Sequence, residues 1–377
     1  MSFLRKFFGK DQQLPEPPLP PAEFTFNQRA AALWDWFASV GEELRTIHND
    51  GDRDQLPSMV SPKVDEFLPG MAWVFGPGTG EGFHSFTLSG EGVMDRQILA
   101  DQWLKRSPGI ANWTFHASRQ PAGHVGDFTL VAHDLKFRPI EFWVTPEIDE
   151  EEEQIDLMLW HPLIEKAEER LCMHALFLIL DEILGEFGTT RWIGAIEFSQ
   201  KRLAESMPIS ELKEFIEETS SSRAWKMRTP VDTWSVYKIP PENRSAAPRM
   251  DTIGGTSGCW NVLRSFLDDP RKFEDPFLKM GAAWVYVSFP SAVLPESGQV
   301  DARENMADVI TSALEQDHSG IPLGGAIGDR LAYMDFLIFD GERSIARIRE
   351  AARKSGLPAD ARLEFLDPRR SGMALFH

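Results

Sequence analysis

The stretch that most constrains this chain is Leu163–Phe198, which reads LIEKAEERLCMHALFLILDEILGEFG and then TTRWIGAIEF. Leu171, Ala175, Leu178 and Ile179 recur at helical spacing, so the first part is expected to form a long helix with one apolar side. Trp192–Phe198 is short, apolar and β-prone, as expected of a buried strand. A helix delivering its chain into a strand is the closing unit of an α+β domain. The longest apolar run, Ala175–Leu180, is stopped by Asp181 and Glu182. It falls far short of the roughly 18 residues that a membrane-crossing helix needs.

The rest of the chain divides around this unit. Its 377 residues suit two domains. Twelve Trp and 26 Phe supply enough large apolar surface for packed cores. A net charge of −19 leaves no broad face for neutralising phosphates, which argues against nucleic acid as a partner. Two cysteines, Cys172 and Cys259, cannot build a disulfide framework or a four-cysteine zinc site, and they fit a reducing cytosol.

Residues 1–22 stand apart. In MSFLRKFFGK, helical spacing places Phe3, Leu4, Phe7 and Phe8 together with Arg5 and Lys6 beside them. That is the pattern of a short amphipathic tip with weak affinity for an anionic membrane surface, and a frayed tail is the competing reading. DQQLPEPPLPPA follows as a proline-rich linker.

Phe26–Ile47 is expected to be a helix capped by Asn27, and 70–89 a hairpin turning through Gly76–Gly82. Asp95–Ser107 reads as a helix, WTFHASRQ from Trp113 as a strand, and Ile155–Trp160 as another. Leu203–Glu218 is a further helix. The boundaries expected are an N-terminal α+β domain at 23–220, a linker carrying one strand at 221–248 and a C-terminal α+β domain at 249–377. In the latter, Ala282–Phe289 and Arg330–Phe339 read as strong strands, with helices at Asp301–Asp317 and Ser344–Ser355. The expected fold is α+β: two domains with antiparallel or mixed sheets covered by helices, in a ferredoxin-like layout.

Candidate chemistry is sparse. Gly254, Gly255, Thr256 and Gly258 precede an expected helix, so their amides form a candidate ligand loop; an N-cap with a flexible lead-in is the plainer reading. Ser257 and Cys259 are the candidate nucleophiles there, although no Gly-x-Ser-x-Gly elbow surrounds Ser257. The glycine runs Gly76–Gly82 and Gly324–Gly328 lead into strands, not helices, which argues against phosphate loops. The histidines are scattered without metal spacing, so no metal and no cofactor is expected. His84 and His116 fall on expected strands, and would meet if those strands pair. His174, Asp181 and Glu182 read as occupants of an amphipathic helix, with acid–base work as the alternative for the carboxylates.

WTFHASRQP at 113–121 and LDEILGEFGTTRWIGAIEF at 180–198 resemble stretches of bacterial cytosolic proteins of the domain-of-unknown-function type. The resemblance implies a bacterial cytosolic protein and carries no catalytic residue. The reading that follows is a non-enzymatic protein-binding or regulatory module. The competing readings are a hydrolase with its site near 254–259, and a peripheral membrane protein attached through residues 1–10.

Overall fold

The computed structural model describes residues 24–80, 83–122, 128–132, 135–166, 168–370 and 372–376. The amphipathic tip (Phe3, Leu4, Arg5, Lys6, Phe7, Phe8), the proline-rich linker, the end of the Gly76–Gly82 turn, His124 and His133 lie outside the described residues.

Two compact units are present, and they interleave along the chain. Among the described residues, unit 1 holds Ala72–Gly92 and Thr114–Pro230; unit 2 holds 24–71, Val93–Trp113 and the chain from Val231 on. The expected succession of domains at 23–220 and 249–377 is therefore corrected. Helices α1 (Phe26–Asp50), α2 (Leu56–Phe67) and α3 (Met94–Leu104) belong to unit 2, and most of the expected linker does too.

Tertiary contacts explain the placement of α1. Its first amides lack intrahelical acceptors. Phe26 N–H donates to the Gly281 carbonyl at 2.9 Å and Asn27 N–H to that of Phe339 at 3.0 Å. Thr25, not Asn27, is the cap, in a reciprocal capping box with Gln28. Leu56–Phe67 forms the full helix α2, which tolerates Pro62 within it.

In unit 1, β1 (Ala72–Pro77) and β2 (His84–Ser89) form the expected hairpin, in a three-stranded sheet with β3 (Trp113–His116). A short pair, β4 (Leu130–Ala132) and β5 (Leu135–Phe137), follows. β6 (Trp143–Asp149) and β7 (Gln154–Trp160) form a second hairpin. Its acidic turn is held by Asp149 Oδ1, which accepts the amides of Glu151 and Glu152 at 2.9 and 3.0 Å.

The chain then crosses over through α4 (Glu169–Leu184) and α5 (Glu186–Trp192), and β8 (Ile193–Phe198) lies parallel to β7. With β9 (Met207–Pro208) the sheet order is β8-β7-β6-β9, a mixed sheet. The long helix expected from Leu163 thus starts later and breaks at Gly185. Its buried face is Cys172, Ala175, Leu176, Ile179, Leu180 and Ile183, packed on Val144, Ile155, Leu157 and Leu159. This face is turned by about one residue from the expected one, leaving Leu171 and Leu178 half-buried. α6 (Leu212–Ser222) adds Leu212 and Ile216 to the same core.

In unit 2, β10 (Ser235–Lys238), β11 (Thr252–Ser257) and α7 (Trp260–Asp268) precede a βαββαβ run. The run is β12 (Ala283–Pro290), α8 (Gln299–Glu315), β13 (Gly320–Gly328), β14 (Leu331–Ile338), α9 (Glu342–Ala352) and β15 (Arg362–Phe365). The order β13-β14-β12-β15, with every neighbour antiparallel, is the ferredoxin-like layout. β11 and β10 extend one side and β16 (Met373–Ala374) the other. α8 and α9 cover Val285, Val287, Phe289, Met334, Phe336 and Ile338.

The opposite face carries Trp284, Tyr286, Tyr333 and Asp335, which alternate with that core. Arg249 lies over them, fully buried, with Nη2 2.5 Å from Asp335 Oδ2 and its guanidinium over the Tyr333 ring at 5.0 Å. Trp284 Nε1 donates to the other Asp335 oxygen at 3.2 Å.

Candidate functional site

Most of the stretch 254–259 is strand, and only Gly258 and Cys259 form a bend before the next helix. Gly254, Gly255, Thr256 and Ser257 lie in β11, paired on one side with β10 and on the other with β13. Both backbone edges of this segment are engaged by neighbouring strands, so it cannot cradle an anion. The glycines have a different cause. A Cβ at Gly255 would overlap the Gly325 carbonyl oxygen and lie 2.7 Å from Ala326 Cβ, and one at Gly254 would lie 3.0 Å from the Tyr237 carbonyl oxygen. Glycine marks a place where another backbone comes close.

Gly258 N–H donates to the Leu323 carbonyl at 2.9 Å. Ser257 is buried, and its Oγ accepts the Cys259 amide at 3.2 Å. Cys259 is fully buried, and its Sγ donates to Asn261 Oδ1 at 3.3 Å. Burial pushes its thiol up, and the negative charges of Asp95 and Asp275 act in the same direction. A nucleophilic cysteine needs the opposite environment. Cys259 is an inert core thiol and Ser257 a local capping group.

His84 and His116 lie on adjacent strands, β2 and β3, and burial lowers the His116 imidazole. Among the described residues no group of three His, Cys, Asp or Glu side chains is arranged to hold a metal ion. His161 is a core histidine: its Nδ1 accepts the Leu163 amide at 3.1 Å, its ring lies against Phe142, and burial lowers it to about 4.

A site does form in unit 1, on the helix that organises its core. A cavity of about 490 Å³ opens between α4, α5, the start of β8 and the loop after β2. Its polar lining is Glu91, His174, Asp181, Glu186, Thr189 and Thr190. Phe177, Leu178 and Ile193 supply apolar wall. His174, Leu178 and Asp181 stand at i, i+4 and i+7 on α4, so one stripe of the helix delivers all three. This is the stripe that the turned core face leaves uncovered.

The chain builds the far wall by docking two distant segments. α4 ends at Gly185, where φ is +75° and an added Cβ would lie 2.8 Å from Pro121 Cδ. Only glycine satisfies both conditions without strain. Glu186 N–H then donates to the Arg119 carbonyl at 3.0 Å, and Ala122 N–H to that of Glu182 at 2.8 Å. The Glu186 carboxylate, 1% exposed, accepts from Ser89 Oγ at 2.7 Å and from the amides of Gly92 and Arg119 at 3.2 Å each. Arg119 turns its guanidinium to Glu91, with Nε 3.0 Å from Oε1. The two stretches singled out in the sequence, 113–121 and 180–198, therefore meet at this carboxylate.

Asp181 is the unusual member. Its carboxyl is raised to about 7, first by burial and then by the charges of Glu186 and Glu91; Thr189 and Arg119 act against the rise. Thr189 Oγ also donates to the Gly185 carbonyl at 3.0 Å. A hydroxyl has one proton to give. Protonated Asp181 can donate to Thr189 Oγ while Thr189 donates onward to Gly185; ionised Asp181 needs the Thr189 proton for itself. The cavity thus holds a carboxyl poised between forms at neutral pH, beside a second carboxylate that accepts from Ser89 Oγ and two amides.

No protein-family model matches this sequence, and comparison with curated proteins and with solved structures gives no significant match.

Proposed function

We propose that the protein is a binding or regulatory module of the bacterial cytosol whose ligand site is the Asp181 cavity of unit 1. The observation that carries this reading is the cavity itself. Its volume of about 490 Å³ is that of a small-molecule pocket, and polar groups from three segments converge there on an apolar wall. The two cysteines are free and buried, consistent with a reducing compartment. A hydrolase near 254–259 finds no support, since Cys259 and Ser257 are consumed in packing and capping. At the cavity, the Thr189 and Thr190 hydroxyls donate to helix carbonyls at 3.0 and 3.1 Å, an arrangement that presents acceptor lone pairs rather than an activated nucleophile.

The test is a fragment titration of isotope-labelled protein followed by NMR. Shifts are expected to cluster at His174, Phe177, Leu178, Asp181 and Thr190, and to vanish in Leu178→Trp, whose larger side chain fills the cavity. Hits that map elsewhere, or that persist in Leu178→Trp, remove the site.

A further inference from the structure

We infer that the protein self-associates through the outer edge of β10, two copies pairing this strand antiparallel about a two-fold axis at Val236. The inference concerns unit 2 and is independent of the Asp181 cavity.

β10 ends the seven-stranded sheet, and among the described residues no strand lies on its outer side. The ladder on its inner side fixes which groups that outer edge presents. Ile239 N–H donates to the Ile253 carbonyl at 2.9 Å, and the register sets Tyr237 opposite Gly255 and Ser235 opposite Ser257. Antiparallel partners alternate between pairs that exchange hydrogen bonds and pairs that do not. Tyr237 and Ser235 therefore bond to β11, while Val236 and Lys238 aim N–H and C=O outward.

Side chains alternate as well. Tyr237 is buried and stacks on Trp260. Val236 is 79% exposed and Trp234 44%, and Lys238 is exposed after them. An open edge with a bare valine is a template for another strand. Pro240 and Pro241 limit what can add to it, because proline has no N–H to carry a ladder on.

The segment left between these limits, Trp234–Lys238, is complementary to itself. Antiparallel pairing about Val236 sets Val236 against its own copy. It also sets Trp234 against the partner's Lys238, twice over, and an ammonium on an indole face is attracted to it. The two Lys238 side chains then stand about 14 Å apart, beyond the roughly 8 Å over which exposed charges act in physiological salt. Thr233–Pro241 contains no carboxylate, so the net charge of −19 is not concentrated at this edge. The far edge of the sheet, β16, offers only two residues. Pairing β10 with β16 would be head-to-tail and leave an edge open at each end, whereas pairing β10 with itself closes.

The test is sedimentation velocity of the full chain from micromolar to near-millimolar concentration. The 42.6 kDa monomer is expected to give way to a species of twice that mass as concentration rises. Val236→Lys puts like charges face to face at the axis. Val236→Pro removes an N–H that serves only the outer edge. Each is expected to weaken the dimer at least tenfold while keeping the wild-type urea midpoint. Register is read by cross-linking under mild oxidation, to which the buried Cys172 and Cys259 do not contribute. Val236→Cys is expected to form a disulfide dimer, since the two Cα atoms at the axis stand about 5.5 Å apart. Lys238→Cys, about 14 Å from its copy, is expected to form none. A dimer unmoved by both Val236 variants, or Lys238→Cys cross-linking as fast as Val236→Cys, overturns the assignment. A wild-type chain that stays monomeric throughout overturns it too, and leaves the edge to a strand of another protein.

Discussion

Asp181→Asn tests the electrostatics of the cavity without any ligand. An aspartate ordinarily titrates near about 3.9. Asp181 is raised to about 7, so the folded chain holds a proton that the unfolded chain has already lost. The contribution to stability is full below the ordinary value and is lost as pH rises to about 7. At about 1.4 kcal/mol per unit, the two units between pH 5 and pH 7 amount to about 2.7 kcal/mol, and above pH 7 the loss levels off. Asp181 keeps some contact with solvent, so a loss of about 1–3 kcal/mol is expected. Asparagine keeps the shape and cannot ionise. Urea unfolding of both proteins at pH 5, 6, 7 and 8 gives the difference in stability at each pH. Relative to wild type, the variant should gain about 1–3 kcal/mol between pH 5 and pH 8. Titrating groups that the substitution leaves untouched, His161 among them, cancel in that difference. A pH-independent difference, or one that moves the other way, would falsify the assignment of a neutral Asp181.

Three further outcomes follow from other parts of the structure. His161 has the opposite sign: its folded value is depressed to about 4, so stability is intact above about 6.5 and lost as pH falls toward 4. His161→Gln should flatten the wild-type loss between pH 7 and pH 5, about 2 kcal/mol, in the same unfolding series. Arg249→Met leaves Asp335 buried with only the Trp284 indole as donor and should cost about 3–5 kcal/mol by urea midpoint. The double variant Arg249→Met/Asp335→Leu should recover most of this, and a double variant as unstable as the single one would show that the pair acts through shape. Gly185→Ala should cost about 2 kcal/mol and release the 119–122 segment, read as faster amide exchange at Glu186 and Ala122.

Much of the fold was legible because it is written in local period. The strands at 283–290 and 331–338, the helices at 299–315 and 342–352 and the hairpin at 72–89 all lie close to where alternation and helical spacing place them. The glycines at 254–258 misled because glycine signals both a turn and a close approach, and local sequence cannot tell them apart. Here the close approach is that of the neighbouring strands, Tyr237 of β10 at Gly254 and Gly325 and Ala326 of β13 at Gly255. The grouping into units was equally hidden, because the hydrogen bonds that fix α1 run to Gly281 and Phe339 at the far end of the chain.

The cavity had one local signal. His174, Leu178 and Asp181 share a helical stripe, and a stripe mixing imidazole, leucine and carboxylate suits neither a core face nor a freely solvated one. What the sequence withholds is the company Asp181 keeps: Glu91, Gly92 and Arg119 arrive from segments distant in the chain. That company is what separates the two buried charge clusters. In unit 2, Asp335 is met by Arg249 and by the Trp284 indole, so the carboxylate is satisfied from within. In unit 1, Glu186 accepts from Ser89 Oγ and from the amides of Gly92 and Arg119, and the Arg119 guanidinium pairs with Glu91. A cluster whose charges cancel internally stabilises a fold and has no use for an entrance. The cluster in unit 1 instead borders a cavity of about 490 Å³, through which a group arriving from outside can reach Asp181.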